Sequence, residues 1–127
     1  KPLPAETREK LIGGLRAAQG ICFLAEEPIS SSPSEFIGLA LCLPSFSSFR
    51  ARPILNIHDI AVAPSHRGKG VGQALLQAVE EEARCRGCCK VTLEVREDNE
   101  VAKSAYLRAG FLPSSTPQTL FWARELG

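Results

Sequence analysis

The run "IHDIAVAPSHRGKGVGQALL", Ile57 to Leu76, constrains this chain more than any other stretch. Branched aliphatics favour a strand, and Pro64, which cannot donate to a ladder, stops it after Ala63. Three glycines at alternate positions follow, Gly68, Gly70 and Gly72, and behind them Val71, Leu75, Ala78 and Val79 recur at helical spacing. A strand led through glycines into a helix exposes unpaired N–H groups and the positive end of the helix dipole at one point. Such a point attracts phosphate. The glycines reach positive φ and leave no Cβ between the amides and an anion, while Arg67 and Lys69 add charge locally. The competing reading is a tight turn whose glycines serve packing alone.

The remaining chain supplies partners for that unit. "AETREKLIGGLRAAQ" (Ala5 to Gln19) sets Leu11, Leu15 and Ala18 on one side of a helix, weakened by Gly13-Gly14. "ICFLAEE" (Ile21 to Glu27) and "EFIGLALCLPSF" (Glu35 to Phe46) read as two hairpin strands around the loop "PISSSPS", and Ile54 to Ala63 as a third. The helix from Val71 stops near Gly87, a suitable left-handed C-terminal residue. "KVTLEVRE" (Lys90 to Glu97) follows as a strand, then a helix from about Asn99 to Ala109 ended by Gly110. "FLPSSTPQ" reads as a short strand and turn, and "TLFWAREL" as the last strand. The order predicts an α/β (α+β) fold: one mixed sheet with flanking helices.

At 127 residues and 44% apolar, residues 1–127 suit one domain with its own core. Fifteen Lys plus Arg against 14 Asp plus Glu leave no net field to draw the chain to nucleic acid or an anionic membrane, so any anion site is local. No apolar run approaches the roughly 18–20 residues of a membrane span, and "KPLPAETREK" is unlike a signal peptide. A soluble, cytoplasmic protein is expected. Five cysteines form no regular secreted framework, and the C-x-x-C within "CRGCC" has no second ligand pair at zinc-finger spacing, so no metal site is predicted.

Two familiar phosphate loops fail on spacing. Lys69 is followed by Gly70 rather than by the hydroxyl a P-loop uses for magnesium. Gly68, Gly70 and Gly72 give G-x-G-x-G, not the G-x-G-x-x-G of a dinucleotide site, although Glu94 lies at a suggestive distance. The run Arg67-x-x-Gly70-x-Gly72, between a strand and a helix, instead resembles the acyl-CoA signature of the GNAT superfamily of N-acyltransferases. "LEVREDNEVAKSAYLRAGF" (Leu93 to Phe111) resembles that family's second signature, with Asn99 and, seven residues on, Tyr106. The resemblance runs from about Ile21 to the C-terminus. It implies a mostly antiparallel sheet splayed at the acyl-CoA site and acetyl-CoA as co-substrate. The Arg67, Gly68, Lys69, Gly70, Val71 and Gly72 amides would hold the diphosphate. Ile60, Ala61 and Val62 would offer a strand edge to the pantetheine arm, with Asn99, Ala102 and Tyr106 approaching from the second unit. Homodimerisation is common in such enzymes. Their usual opening strand and first helix have no counterpart here, being either upstream of Lys1 or absent.

Acyl transfer to an amine needs a neutral amine, a stabilised oxyanion and a proton for the departing sulfur. The resemblance assigns the proton to Tyr106, the only tyrosine in the chain; the competing role is an aromatic that fills core near Phe111. For the base, Glu94, His58 and Asp59 compete with a water chain. Asp59 could instead hold a cationic amine. The acceptor is expected to be the amine of a small molecule or peptide. A non-catalytic acyl-CoA-binding regulatory module is the alternative. His66 reads as a solvent-facing loop residue, or at most another phosphate contact.

Overall fold

The structure, a computed structural model, describes residues 4–26, 36–113 and 122–127. Helix α1 (Ala5–Ala17) leads into strands β1 (Ile21–Glu26), β2 (Phe36–Ser47) and β3 (Arg52–Val62). A 3-10 turn (Pro64–His66) then precedes α2 (Val71–Cys85), β4 (Lys90–Leu93) and α3 (Glu100–Arg108). The strands lie in chain order in one sheet, with β1/β2 and β2/β3 antiparallel and β3/β4 parallel. This is the mixed, mostly antiparallel α/β arrangement expected. The loop "PISSSPS" and the expected start of the second strand at Glu35 lie outside the described residues.

One face of the sheet carries the core. Leu75, Leu76, Val79 and Ala83 project from one side of α2 onto Ala40, Cys42, Leu55 and Ile57, and all eight are buried. Each large aliphatic so enclosed contributes about 1.5–3 kcal/mol. Gly38 decides how closely the start of α2 can settle: a Cβ there would lie 3.1 Å from Ala61 O, Leu75 Cδ1 and Val71 Cγ1. Without a side chain at Gly38, the helix N-terminus rests directly over the end of β3. Arg52 fixes the other end of the unit, its guanidinium donating to the carbonyls of Gly87 (3.1 and 3.0 Å) and Cys88 (3.2 Å) just past α2.

The sheet opens because of one extra residue. Leu41 pairs with Asp59 but Cys42 pairs with Ile57, so His58 is a β-bulge with no partner on β2. A bulge bends its strand and increases the local twist. The parallel pairing of β3 with β4 ends at Ile57↔Leu93, immediately before that bulge, while β3 runs on to Val62. The expected strand Lys90 to Glu97 is therefore corrected to Lys90–Leu93: beyond Leu93 the chain pairs with no strand among the described residues.

The C-terminal expectation changes as well. Trp122 to Leu126 form no strand, and the Trp122 side chain is 86% exposed. Phe111 to Pro113 are likewise irregular, and Ser114 to Phe121 lie outside the described residues. No helix among the described residues is long and apolar enough to cross a membrane.

Candidate active site

Where β3 and β4 part, α2 and α3 enclose a cleft of about 540 Å³. Its floor is Ile60, Ala61 and Val62, one end is the Arg67–Gly72 turn, and the opposite wall is the Val101, Ala102, Ala105, Tyr106 and Arg108 side of α3. Alternate residues of a strand turn their N–H and C=O to opposite edges. Ala63 N donates to Ile37 O on the β2 side (2.7 Å), so Ile60 and Val62 face the edge that β4 has left. Arg67 Nε reaches Val62 O there at 3.2 Å.

The turn has the expected left-handed conformation at two of its three glycines, while Gly72 is corrected to an ordinary helical residue of α2. Gly68 and Gly70 adopt φ of +75° and +84°, and Gly70 is the left-handed N-cap of α2 with no side-chain cap. A Cβ at either would meet nothing within 4 Å. The amides of Gly68, Lys69 and Gly70 donate to no backbone carbonyl among the described residues, and those of Val71 and Gly72 are first-turn donors without an intrahelical acceptor. These aligned donors, with the helix dipole behind them, fit the diphosphate of an acyl coenzyme. Gly72 has ordinary φ, with Val62 Cγ2 3.8 Å from a notional Cβ. Lys69 is exposed and does not line the cleft.

Tyr106 is placed by the way α3 ends. Gly110 (φ +93°) donates to Leu107 O at 3.1 Å, and Phe111 N returns to Tyr106 O at 2.9 Å. This paired closure brings the residue after the glycine against the helix's last turn. Accordingly the Phe111 ring meets Tyr106 edge-on, centroids 6.0 Å apart. Burial raises the Tyr106 phenol above its ordinary value, so it keeps its proton at neutral pH. The Tyr106 ring packs with Phe111, as the core reading expected, and the residue also lines the cleft.

Other expected residues fall elsewhere. Asn99 does not line the cleft; its Oδ1 accepts from Ala102 N (3.1 Å) as the N-cap of α3. Glu94 is exposed beyond the end of β4, and Val95 is 39% exposed, so the expected strand alternation fails there. His58 and Asp59 are both exposed where regular alternation would expose one, as a bulge produces. His58 and Glu94 follow the last β3/β4 pair and so flank the mouth of the fork, while Asp59 is one residue further on. None of these three lines the cleft. His66 does line it and is half-buried, its Nδ1 2.8 Å from Ser65 Oγ. Gln73 was not anticipated; its Nε2 donates to Ala105 O (3.0 Å) and braces the two walls. Val101, Ala105 and Arg108 were also missed, although with Ala102 they share one side of α3 at helical spacing. Among the described residues no group of three or more His, Cys, Asp or Glu could hold a metal.

Known proteins resemble the chain in the same terms. A streptothricin acetyltransferase of Streptomyces lavendulae is 46% identical over 67 residues, covering 53% of this chain and 34% of that protein. A thialysine N-epsilon-acetyltransferase of Bos taurus is 34% identical over 94 residues, covering 70% and 54%. The chain thus spans from about a third to just over half of the length of these relatives. A solved acetyltransferase of Trypanosoma brucei superposes with TM-score 0.72 at 25% identity, covering 96% of this chain and 82% of its own. The profile of the Acetyltransferase (GNAT) family matches residues 2–111, and the chain is a member of that family.

Proposed function

We propose that the protein is an N-acetyltransferase that takes an acetyl group from acetyl-CoA and delivers it to a primary amine of a small molecule or peptide. One observation carries this reading: the glycine turn, the open β3 edge and Tyr106 face a single cleft. The Arg67–Gly72 turn would hold the diphosphate, and Ile60, together with the N–H of Val62, whose carbonyl is held by Arg67, would pair with the pantetheine amides. The coenzyme supplies an activated acyl thioester. Ile60 N–H and Val62 N–H are the chain's donors for a carbonyl oxygen gaining charge at the strand edge. Tyr106 holds a proton at Oη within the cleft and can give it to a departing thiolate.

The amine must lose its proton, and Glu94 or His58 at the fork can receive it through water. The two carboxylates near the fork, Glu94 and Asp59, suit an acceptor that carries further positive charge. The relatives named for streptothricin and thialysine acetylation are consistent with a small-molecule amine acceptor. A second reading, an acyl-CoA-binding regulatory module without turnover, draws on the exposure of Glu94, His58 and Asp59 outside the cleft.

An amine panel, followed by release of free thiol from acetyl-CoA, tests the proposal. Tyr106→Phe keeps the ring packing and removes only the hydroxyl, which makes no hydrogen bond among the described residues. The expected result is acetyl-CoA affinity within about twofold of wild type and kcat lower by about 10²-fold or more. A wild-type protein that binds acetyl-CoA but releases no thiol with any amine supports the regulatory reading. One that does not bind it refutes both.

A further inference from the structure

We propose that Gln73 is a positioning residue for Tyr106: its side-chain amide fixes α3 along and about its axis, and so sets where the phenol stands against the coenzyme thioester. This inference rests on the acetyltransferase reading above and extends it to a residue on the other helix of the cleft. Helix α3 carries the proposed proton donor yet buries none of its residues. The stretch that leads into it, Glu94 to Glu100, is exposed throughout. Most of its polar bonds stay within that stretch and the helix: Asn99 Oδ1 accepts from Ala102 N at 3.1 Å, and Lys103 Nζ reaches Glu97 O at 3.0 Å and Glu100 Oε1 at 3.2 Å. Tyr106 and Ala109 pack against the core beneath, but apolar contact has no preferred direction. It resists lifting of the helix and permits sliding and rotation.

Gln73 supplies the direction. Its half-buried side chain donates from Nε2 to Ala105 O at 3.0 Å, and among the described residues this is the one hydrogen bond that joins α3 to another helix or strand. A hydrogen bond weakens steeply once its angle or length leaves the optimum, so it fixes both the height and the turn of the helix. The two residues it joins stand beside the two halves of the site. Gln73 follows directly on the amides assigned to the diphosphate at the start of α2, and Ala105 directly precedes Tyr106. The Ala105 carbonyl also accepts from Ala109 N at 3.2 Å, but that N–H is shared with Tyr106 O at 3.1 Å, so the last turn of α3 is loosely bonded within itself. Without Gln73 that turn has no polar tether outside its own segment among the described residues. A shift on the order of 1 Å at a reacting group can lower a rate about 10²-fold.

Rates of thiol release from acetyl-CoA with an active amine, measured for wild type, Gln73→Met, Tyr106→Phe and the double variant, test the proposal, with acetyl-CoA affinity and Tm read on each. Gln73→Met keeps the length of the side chain and removes the donor. It is expected to lower kcat by about ten- to a hundredfold, with the acetyl-CoA Kd within about threefold of wild type and Tm within about 4 °C. In the Tyr106→Phe background the same change should cost less than about twofold, because the hydroxyl it positions is already gone. Gln73→Lys, which offers Ala105 O another donor, should recover part of the rate. An equal loss of kcat in both backgrounds, or a kcat that Gln73→Met leaves unchanged, overturns the inference while leaving the acetyltransferase reading intact. A wild type that releases no thiol with any amine overturns that reading itself, and the inference with it.

Discussion

Replacing Gly70 by alanine should destabilise the protein, while the same change at Gly72 should stabilise it. Gly70 sits at φ +84° with no atom within 4 Å of a notional Cβ, so the penalty is one of backbone conformation and not of collision. Holding an L-residue in the left-handed region costs about 1–2 kcal/mol. The reduced freedom of the unfolded chain offsets about 0.4–1 kcal/mol of that, leaving a net loss of about 1 kcal/mol. With an unfolding entropy of about 2.1 cal/mol/K per residue, a 127-residue chain loses about 4 °C in Tm per kcal/mol. Gly72 has ordinary φ inside the first turn of α2, and its nearest neighbour is at contact distance, 3.8 Å. Alanine there gains about 0.5–1 kcal/mol, or about 2–4 °C. Scanning calorimetry of both variants reads the opposite signs directly. Asparagine, which tolerates the left-handed region, should recover part of the loss at position 70. Repeating the scans with acetyl-CoA at about 100 times its Kd should add about 2.7 kcal/mol to wild type and less to Gly70→Ala, whose methyl faces the cleft. A Gly70→Ala protein as stable as wild type would refute the left-handed assignment.

Two further tests concern the scaffold. The Cys42 thiol, wholly buried and beside Cys22, has its pKa pushed up from 9.0 to about 11, mainly by burial. A raised folded-state pKa contributes stability that is complete below pH 9 and disappears as the pH rises toward 11. Urea unfolding across that range should show a steeper loss in wild type than in Cys42→Ala, and parallel slopes would count against the burial argument. Arg52→Ala removes three hydrogen bonds to the carbonyls beyond α2 and should cost about 1 kcal/mol in urea midpoint analysis, with Arg52→Lys intermediate. A change below a few tenths of a kcal/mol would show that water replaces those bonds at no loss.

Local pattern and long-range geometry account for what the sequence did and did not disclose. Val71, Leu75 and Val79 announce α2 because burial on one side repeats every turn, and Gly68 and Gly70 before them announce a left-handed turn because few residues can adopt its dihedrals. Tyr106 was singled out by the resemblance of Leu93 to Phe111 to a family signature, and the structure adds that it lines the cleft. Glu94 was misplaced because "EVRE" has strand chemistry but pairs with no strand among the described residues, and the β3/β4 pairing ends just before a bulge 36 residues earlier. No local pattern distinguishes His58 as the unpaired residue. Asn99 was read as a ligand contact, but its position before α3 also makes it a natural N-cap, and that is the bond it makes. Trp122 to Leu126 show the reverse error: apolar character without a surface to cover.

The unpaired residue at position 58 also gives the cleft a simple origin. Delete it, and the third strand falls back into step with the second, straightens, and can zip alongside the fourth; the slot for a ligand arm then closes into ordinary sheet. On the proposed coenzyme reading, a single surplus amino acid opens the room for a pseudo-strand, and shortening the chain there by one should abolish acetyl-CoA binding in calorimetry while raising Tm.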